Sequence, residues 1–140
     1  MWPRSHSTVL TWIPPFDLNS HDRPLGTAAR ALGAAGINID GLSGPTTDHG
    51  VSAGHLLVED AARATSVLEE AGLRVIRQQD VLVLDIENRP GALADLYAKL
   101  HAIPEYSGVD FAYLTTRGQI VLGIDPPKAL PAVRNALGAG

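Results

Sequence analysis

The sequence has no cysteine among its 140 residues and no long run of apolar residues. The absence of cysteine excludes disulfides, thiolate nucleophiles and cysteine-ligated zinc, and it fits the cytoplasmic location that we expect. The longest unbroken apolar run, around Val81–Leu84, is far shorter than the roughly 20 residues that cross a bilayer. The N-terminal stretch also lacks the apolar segment of a signal peptide.

Basic residues are few and scattered. The chain has 11 lysines and arginines against 15 acidic residues, which gives a net charge of -4, and no two basic residues are adjacent. Nucleic-acid-binding proteins usually concentrate lysine and arginine in one patch, so we expect no nucleic-acid partner. Hydrophobic residues make up 45% of the chain, and this length fits one domain or two very small ones.

Hydrophobic periodicity predicts seven strands and four helices. The strands are Thr8–Ile13, Val51–Val58, Val81–Ile86 and Gln119–Ile124, with weaker patterns at Ile37–Leu42, Leu73–Arg77 and Val109–Thr115. Apolar residues at helical spacing predict helices over Ala64–Ala71, Leu93–Leu100 and Leu130–Leu137, and alanine content predicts one over Ala28–Ala35.

These elements follow the same order twice. A strand-helix-strand-strand-helix-strand run is followed by a second run that stops after its second helix. This order indicates an α+β fold of two ferredoxin-like β-α-β-β-α-β units, with antiparallel sheets and helices on one face. The last strand of the second unit is missing or replaced. We expect the two units to cover residues 7–80 and 81–140.

The repeat can be followed residue by residue. Asp22-Arg23-Pro24 precedes Asn88-Arg89-Pro90 by 66 residues, and Gly36-Ile37-Asn38-Ile39 precedes Gly108-Val109-Asp110-Phe111 by 72. The change in offset places an insertion at His101–Ser107, between predicted elements. Insertions that fall in loops are typical of a true duplication.

One segment of the second copy resembles a known signature. Val83–Leu93 reads Val-Leu-Asp-Ile-Glu-Asn-Arg-Pro-Gly-Ala-Leu, which is similar to the ACT domain, a small regulatory module that binds amino acids. In that family a first strand runs into Asn/Asp-Arg/Lys-Pro-Gly-x-Leu at the start of the first helix. The resemblance covers about residues 8–137. The first copy departs from the pattern, because Pro24 is followed by Leu25 and then Gly26.

The resemblance implies a protein that binds a free amino acid between two ACT units, without a cofactor or metal and without catalysis of its own. The ligand-binding residues that it implies are Asn88, Arg89, Pro90, Gly91, Ala92, Leu93, Asn38 and Ile39. A second, degenerate site would involve Asp22, Pro24, Leu25, Gly26 and Asp110. Ala92, Leu93 and Phe111 would contribute to the pocket walls.

The residues of the intact loop suit a zwitterion. Pro90 can begin a helix without an N–H partner, and Gly91 lets the backbone approach a ligand closely. The free N–H groups of a first helical turn favour a carboxylate, and Asn88 offers a carbonyl to an ammonium group and an amide to a carboxylate. The alternative is that Asn-Arg-Pro-Gly is only a tight turn between strand and helix.

The two copies carry asparagine and aspartate in opposite positions. Pairing across a pseudo-twofold axis would join Asn88 to Asn38 in one site and Asp22 to Asp110 in the other. Two adjacent carboxylates would repel the ligand carboxylate, so we expect one working site per chain, at Asn88 and Asn38. The alternative is that these polar residues only cap helices or satisfy strand ends.

Other features give no competing site. The five histidines show no helical metal-binding spacing, so histidines in loops or solvent are expected, including His21, His49 and His55. Trp2 and Trp12 are expected to pack in the core or at a sheet edge and not to stack on a ligand.

We expect a homodimer that covers the sheet edge left by the missing strand. The alternative functions are a regulatory subunit of an amino-acid biosynthetic enzyme, such as an acetolactate-synthase-like complex, and a small enzyme.

Overall fold

The computed structural model describes residues 8–13, 23–43 and 54–138. These residues form two compact units, of which the first is Thr8–Gln79 and the second begins at Asp80. The predicted positions that lie outside the described residues are Trp2, His21, Asp22, His49 and 51–53.

The first unit holds four strands and two helices. They are β1 (Thr8–Ile13), α1 (Arg23–Ala34), β2 (Gly41–Ser43), β3 (Gly54–Val58), α2 (Ala61–Glu70) and β4 (Arg74–Asp80). The strand order in the sheet is β2-β3-β1-β4, and β3 is antiparallel to both β1 and β2. The connections through α1 and α2 therefore each cross one neighbouring strand, which is the split β-α-β arrangement of the ferredoxin-like fold.

The second unit repeats this plan with one strand fewer among its described residues. Its elements are β5 (Leu82–Asp85), α3 (Ala92–His101), β6 (Gly108–Leu114), β7 (Gln119–Asp125) and α4 (Leu130–Ala136), with a 3-10 turn at Pro127–Ala129. The strand order is β5-β7-β6, and both pairings are antiparallel. The predicted α+β fold of ferredoxin-like units with antiparallel sheets is confirmed, and the described residues of the second unit include no counterpart of β4.

The predicted strand Ile37–Leu42 is wrong over its first half. Gly36 takes a φ of 73°, and the Ile37 N–H donates to the Leu32 carbonyl at 2.9 Å, so these residues complete the end of α1. Strand pairing begins only at Gly41. The first helix also starts earlier than predicted, at Arg23.

Each unit has its own hydrophobic core between sheet and helices. The first core includes Leu10 and Trp12 of β1, Leu32 of α1 and Leu68 of α2, all with no exposed surface. Trp12 therefore packs as expected. It lies opposite Gly54 in the β1–β3 ladder, and a β-carbon on Gly54 would come within 2.5 Å of the indole ring, so glycine is needed there to admit the ring.

The second core likewise lies between one face of the sheet and the two helices of its unit. Leu100 of α3, Leu122 of β7 and Val133 of α4 are fully buried in it. No helix among the described residues is long and apolar enough to cross a membrane.

Candidate functional site

A cavity of about 480 Å³ opens in the second unit. It lies at the β5–α3 loop, the first turns of α3 and the end of β6. The lining residues are mostly apolar or aromatic, namely Ile86, Ala92, Leu93, Tyr97, Ala112, Tyr113, Leu114 and Ile120, together with Gly118 and the polar residues Glu87, Asn88, Arg89 and Thr115. Small-molecule sites are typically apolar cavities of about 300–1,000 Å³ with a few polar groups, so this cavity is a candidate ligand site.

The start of α3 borders the cavity without a capping side chain. Gly91 is the N-cap residue in a left-handed conformation, with a φ of 85°, and no side chain caps the helix. The Asp95 N–H donates to the Gly91 carbonyl at 2.9 Å. In α2, by contrast, the Asp60 carboxylate accepts from the Arg63 N–H at 3.0 Å. The first turn of α3 thus retains N–H groups that a cap would otherwise bind.

Asn88 reaches the cavity with its side chain uncommitted. It is exposed and lines the cavity, and within the described ranges no hydrogen bond engages its amide. A side-chain amide carries both a carbonyl acceptor and N–H donors. Asn88 can therefore receive a charged group of either sign from a ligand.

Arg89 is held by neighbouring carboxylates. Its Nε donates to Glu87 at 2.7 Å and its guanidinium donates to Asp95 at 3.0 Å. The hydrogen bonds to Asp95 and then to Glu87 raise the pKa of Arg89 above its usual range. Arg89 lines the cavity, but its charge is already matched, so the geometry supports a bracing role in the loop.

Phe111, which was expected to form a pocket wall, does not line this cavity. The β6–β7 ladder shifts register between Val109 and Phe111, which leaves Asp110 as an extra residue on β6. The shift turns Phe111 to the face opposite Val109, where its ring lies over Gly123. The same shift brings Ala112 and Leu114 to the helix-facing side, and both line the cavity.

Sequence reasoning missed most of the wall residues, among them Tyr97 of α3 and Leu114 of β6. Tyr97 belongs to the apolar stripe of α3, which periodicity predicts without showing which of its residues face the core. The residues of this stripe face two environments, since Leu100 is fully buried in the core whereas Leu93 is 48% exposed at the cavity. The only sequence signal was the spacing of four residues between Leu93 and Tyr97, which places both on one side of the helix.

The first unit arranges its equivalent residues differently. Gly26 lies inside α1 and has no positive φ, so it does not reproduce the left-handed turn of Gly91. Pro24 lies in the first turn of α1, and Leu25 packs against the first core. The helix start in this unit therefore differs from that of α3.

Asn38 and Ile39 lie in the short segment before β2. The Asn38 amide donates to the Asp40 carboxylate at 2.7 Å, and Ile39 packs partly against the first core. Asn38 is in the first unit and Asn88 in the second. The pairing of Asn88 with Asn38, and that of Asp22 with Asp110, stay predictions.

His55 is half-buried, not fully solvated as expected. It lies in β3, within the predicted strand Val51–Val58, and burial followed by the charge of Arg77 lowers its pKa. Among the described residues, no three histidine or acidic side chains form a group that could hold a metal ion.

We expect Gly91→Ala to lower the free energy of unfolding by about 1–2 kcal/mol, because a β-carbon strains the left-handed conformation at this φ. Gly26→Ala is the matched control in the equivalent sequence position. Gly26 is helical, and a β-carbon at this position would meet no atom of the described residues within 4 Å, so alanine there should stabilise by about 0.5–1 kcal/mol. Urea unfolding measures both, and equal effects at the two positions would contradict the assigned loop geometry.

Several known structures share this fold. Protein BT0572 from Bacteroides thetaiotaomicron superposes with a TM-score of 0.71 and 18% identity, covering 94% of this chain and 88% of its own. The ligand-free regulatory subunit of aspartate kinase from Thermus thermophilus gives a TM-score of 0.64 and 16% identity, covering 96% and 92%. An allosteric aspartate kinase from Clostridium acetobutylicum gives a TM-score of 0.58 and 16% identity. The match covers 93% of this chain and 32% of that longer chain.

The chain therefore has the fold of aspartate kinase regulatory subunits, and the ACT-type fold expected from the sequence is confirmed. No protein-family model matches the sequence, and no curated protein matches it either.

Proposed function

We propose that this protein is a regulatory amino-acid sensor, and that a free amino acid binds in the cavity of the second unit. The observation that carries the proposal is the meeting, in one cavity, of an uncapped helix start, an uncommitted asparagine amide and apolar walls. The resemblance of the Asn88–Gly91 loop to the ACT signature and the fold shared with regulatory subunits support the same conclusion.

The cavity offers a partner to each part of an amino acid. The ligand carboxylate would bind the first-turn N–H groups of α3, where the helix dipole adds about 0.3–1 kcal/mol. The Asn88 carbonyl would accept from the α-ammonium group. The ligand side chain would then contact the walls formed by α3 and β6. None of these groups needs to react, so the proposal assigns binding and no catalysis.

A thermal-shift screen of the twenty amino acids tests the proposal. At a hundredfold excess over Kd, a ligand should stabilise the protein by about 2.7 kcal/mol. Asn88→Ala should weaken the binding of the responding amino acid at least tenfold, since one hydrogen bond to a charged group contributes roughly 1.5–3 kcal/mol. Asn135→Ala is the control, because Asn135 is exposed on α4 and does not line this cavity. Full affinity in Asn88→Ala would contradict the proposal.

The sequence-based prediction adds Asn38 to this site. If Asn38 and Asn88 bind the same ligand, Asn38→Ala should weaken binding as Asn88→Ala does. Unchanged affinity in Asn38→Ala would show that the site lies in the second unit alone.

The expected homodimer and cytoplasmic location also stay predictions. Light scattering that shows a monomer at high concentration would contradict the homodimer.

A second candidate function is a regulatory subunit that acts on a separate catalytic subunit. It is favoured by the shared fold of a chain described as a regulatory subunit of aspartate kinase. This candidate predicts co-purification of the tagged protein with an amino-acid biosynthetic enzyme from its native cells. The sensor alone predicts ligand binding without such a partner.

A further inference from the structure

The wall that a ligand side chain would meet is mostly apolar. Ala112 and Leu114 of β6 lie opposite Leu122 and Ile120 of β7, on the side of the sheet that faces the helices. Tyr97 of α3 contributes to the same cavity. The chemistry of this wall decides which amino acid is preferred, so the inference rests on the proposed function and concerns its specificity.

The charged residues of the cavity are already paired. Glu87 and Arg89 are the charged side chains that line it, and they bind each other at 2.7 Å. Arg89 also binds Asp95 at 3.0 Å. Within the described part of the chain, the lining therefore presents no uncommitted carboxylate to a lysine ligand and no uncommitted guanidinium to an aspartate ligand.

Hydrogen-bonding groups are few on the wall formed by β6 and α3. Thr115 Oγ1 accepts hydrogen bonds from the N–H groups of Arg117 at 3.2 Å and Gln119 at 3.3 Å, so its lone pairs are occupied and only its O–H remains to donate. Tyr97 adds one phenolic hydroxyl to the lining. The side chain of serine or threonine would cover less of the apolar wall than a larger aliphatic or aromatic side chain, and the free energy of burial is proportional to the area covered.

Two large apolar side chains at the cavity remain exposed to solvent. Leu114 is 65% exposed and Leu93 is 48% exposed. Single exposed leucines are common on protein surfaces, but these two line one cavity from different elements. A ligand with an apolar side chain would remove both from water, which is favourable in proportion to the area buried.

We propose that the cavity is specific for amino acids with a neutral, apolar side chain, of the aliphatic or aromatic kind. Polar and charged amino acids share the same ammonium and carboxylate groups and lack only the apolar contact. One methylene group in an apolar pocket changes affinity by about tenfold or more, so the difference between an apolar and a polar ligand is easily measured.

Isothermal titration of the protein with leucine, phenylalanine, serine, threonine, lysine and aspartate tests this specificity. We expect leucine or phenylalanine to bind at least about tenfold more tightly than each of the other four. If lysine, aspartate, serine or threonine binds most tightly and Asn88→Ala weakens that binding, the specificity is wrong and the proposed function stands. If no amino acid binds, both are overturned.

Leu114→Asp provides a second test on the wall itself. A carboxylate at this position should weaken leucine and phenylalanine binding at least about tenfold and improve lysine binding relative to them. Ile76→Asp is the matched control, because Ile76 is 49% exposed on β4 and outside the cavity. Equal effects of the two variants on binding, or no effect of Leu114→Asp on the preference, would overturn the proposal.

Discussion

Leu93→Asp should reduce amino-acid binding at least about a hundredfold while leaving the protein folded. Leu93 is the second residue of α3, half exposed at the cavity. A carboxylate there would occupy the first-turn N–H groups and repel the ligand carboxylate. The same charge favours the helix, because an acidic residue in the first turn contributes about 0.3–1 kcal/mol. Stability and binding should therefore change in opposite directions.

Leu93→Asn separates charge from shape in this test. Asparagine has nearly the same size as aspartate and carries no charge, so it should lose the apolar contact without repelling the ligand. Titration calorimetry gives the affinities and urea unfolding gives the stabilities. Equal losses of binding in the aspartate and asparagine variants would show that the ligand carboxylate lies elsewhere.

Leu100→Ala should lower the free energy of unfolding by about 2–5 kcal/mol. Leu100 lies on α3 with no exposed surface, in the core of the second unit. Removing its side chain loses both the transfer free energy and the contacts around the resulting cavity. Leu93→Ala on the same helix is the control, and since Leu93 is half exposed, its truncation should have a much smaller effect. A comparable destabilisation by both would contradict the assigned faces of α3.

The fold could be predicted because it depends on patterns within short segments. Periodicity located α2, α3 and α4, and the spacing between the two copies identified the duplication. These features depend on neighbours in the chain, which the sequence displays directly.

The walls of the candidate site could not be predicted in the same way. Nothing in the sequence marks Asp110 as an extra residue, and alternation without it would have placed Phe111 beside Val109. Leu114 and Tyr97 come together only because β6 and α3 pack on the same face of one sheet. Such contacts between distant segments arise from tertiary packing, which periodicity does not specify.

The ion pairs of Arg89 could not be predicted from the sequence either. Its position in the motif suggested contact with a ligand, and only the structure shows that Glu87 and Asp95 already bind its guanidinium. Glu87 is close in sequence, whereas Asp95 reaches Arg89 because the first turn of α3 brings it back to the loop.

Titration calorimetry on the protein and its Asn88→Ala variant tests the central claim most directly. The ligand is the amino acid that stabilises the protein most in the thermal-shift screen. We expect one binding site per chain, an affinity at least tenfold lower in Asn88→Ala, and an unchanged affinity in Asn135→Ala. Two equivalent sites per chain, or full affinity in Asn88→Ala, would contradict a single site at the start of α3.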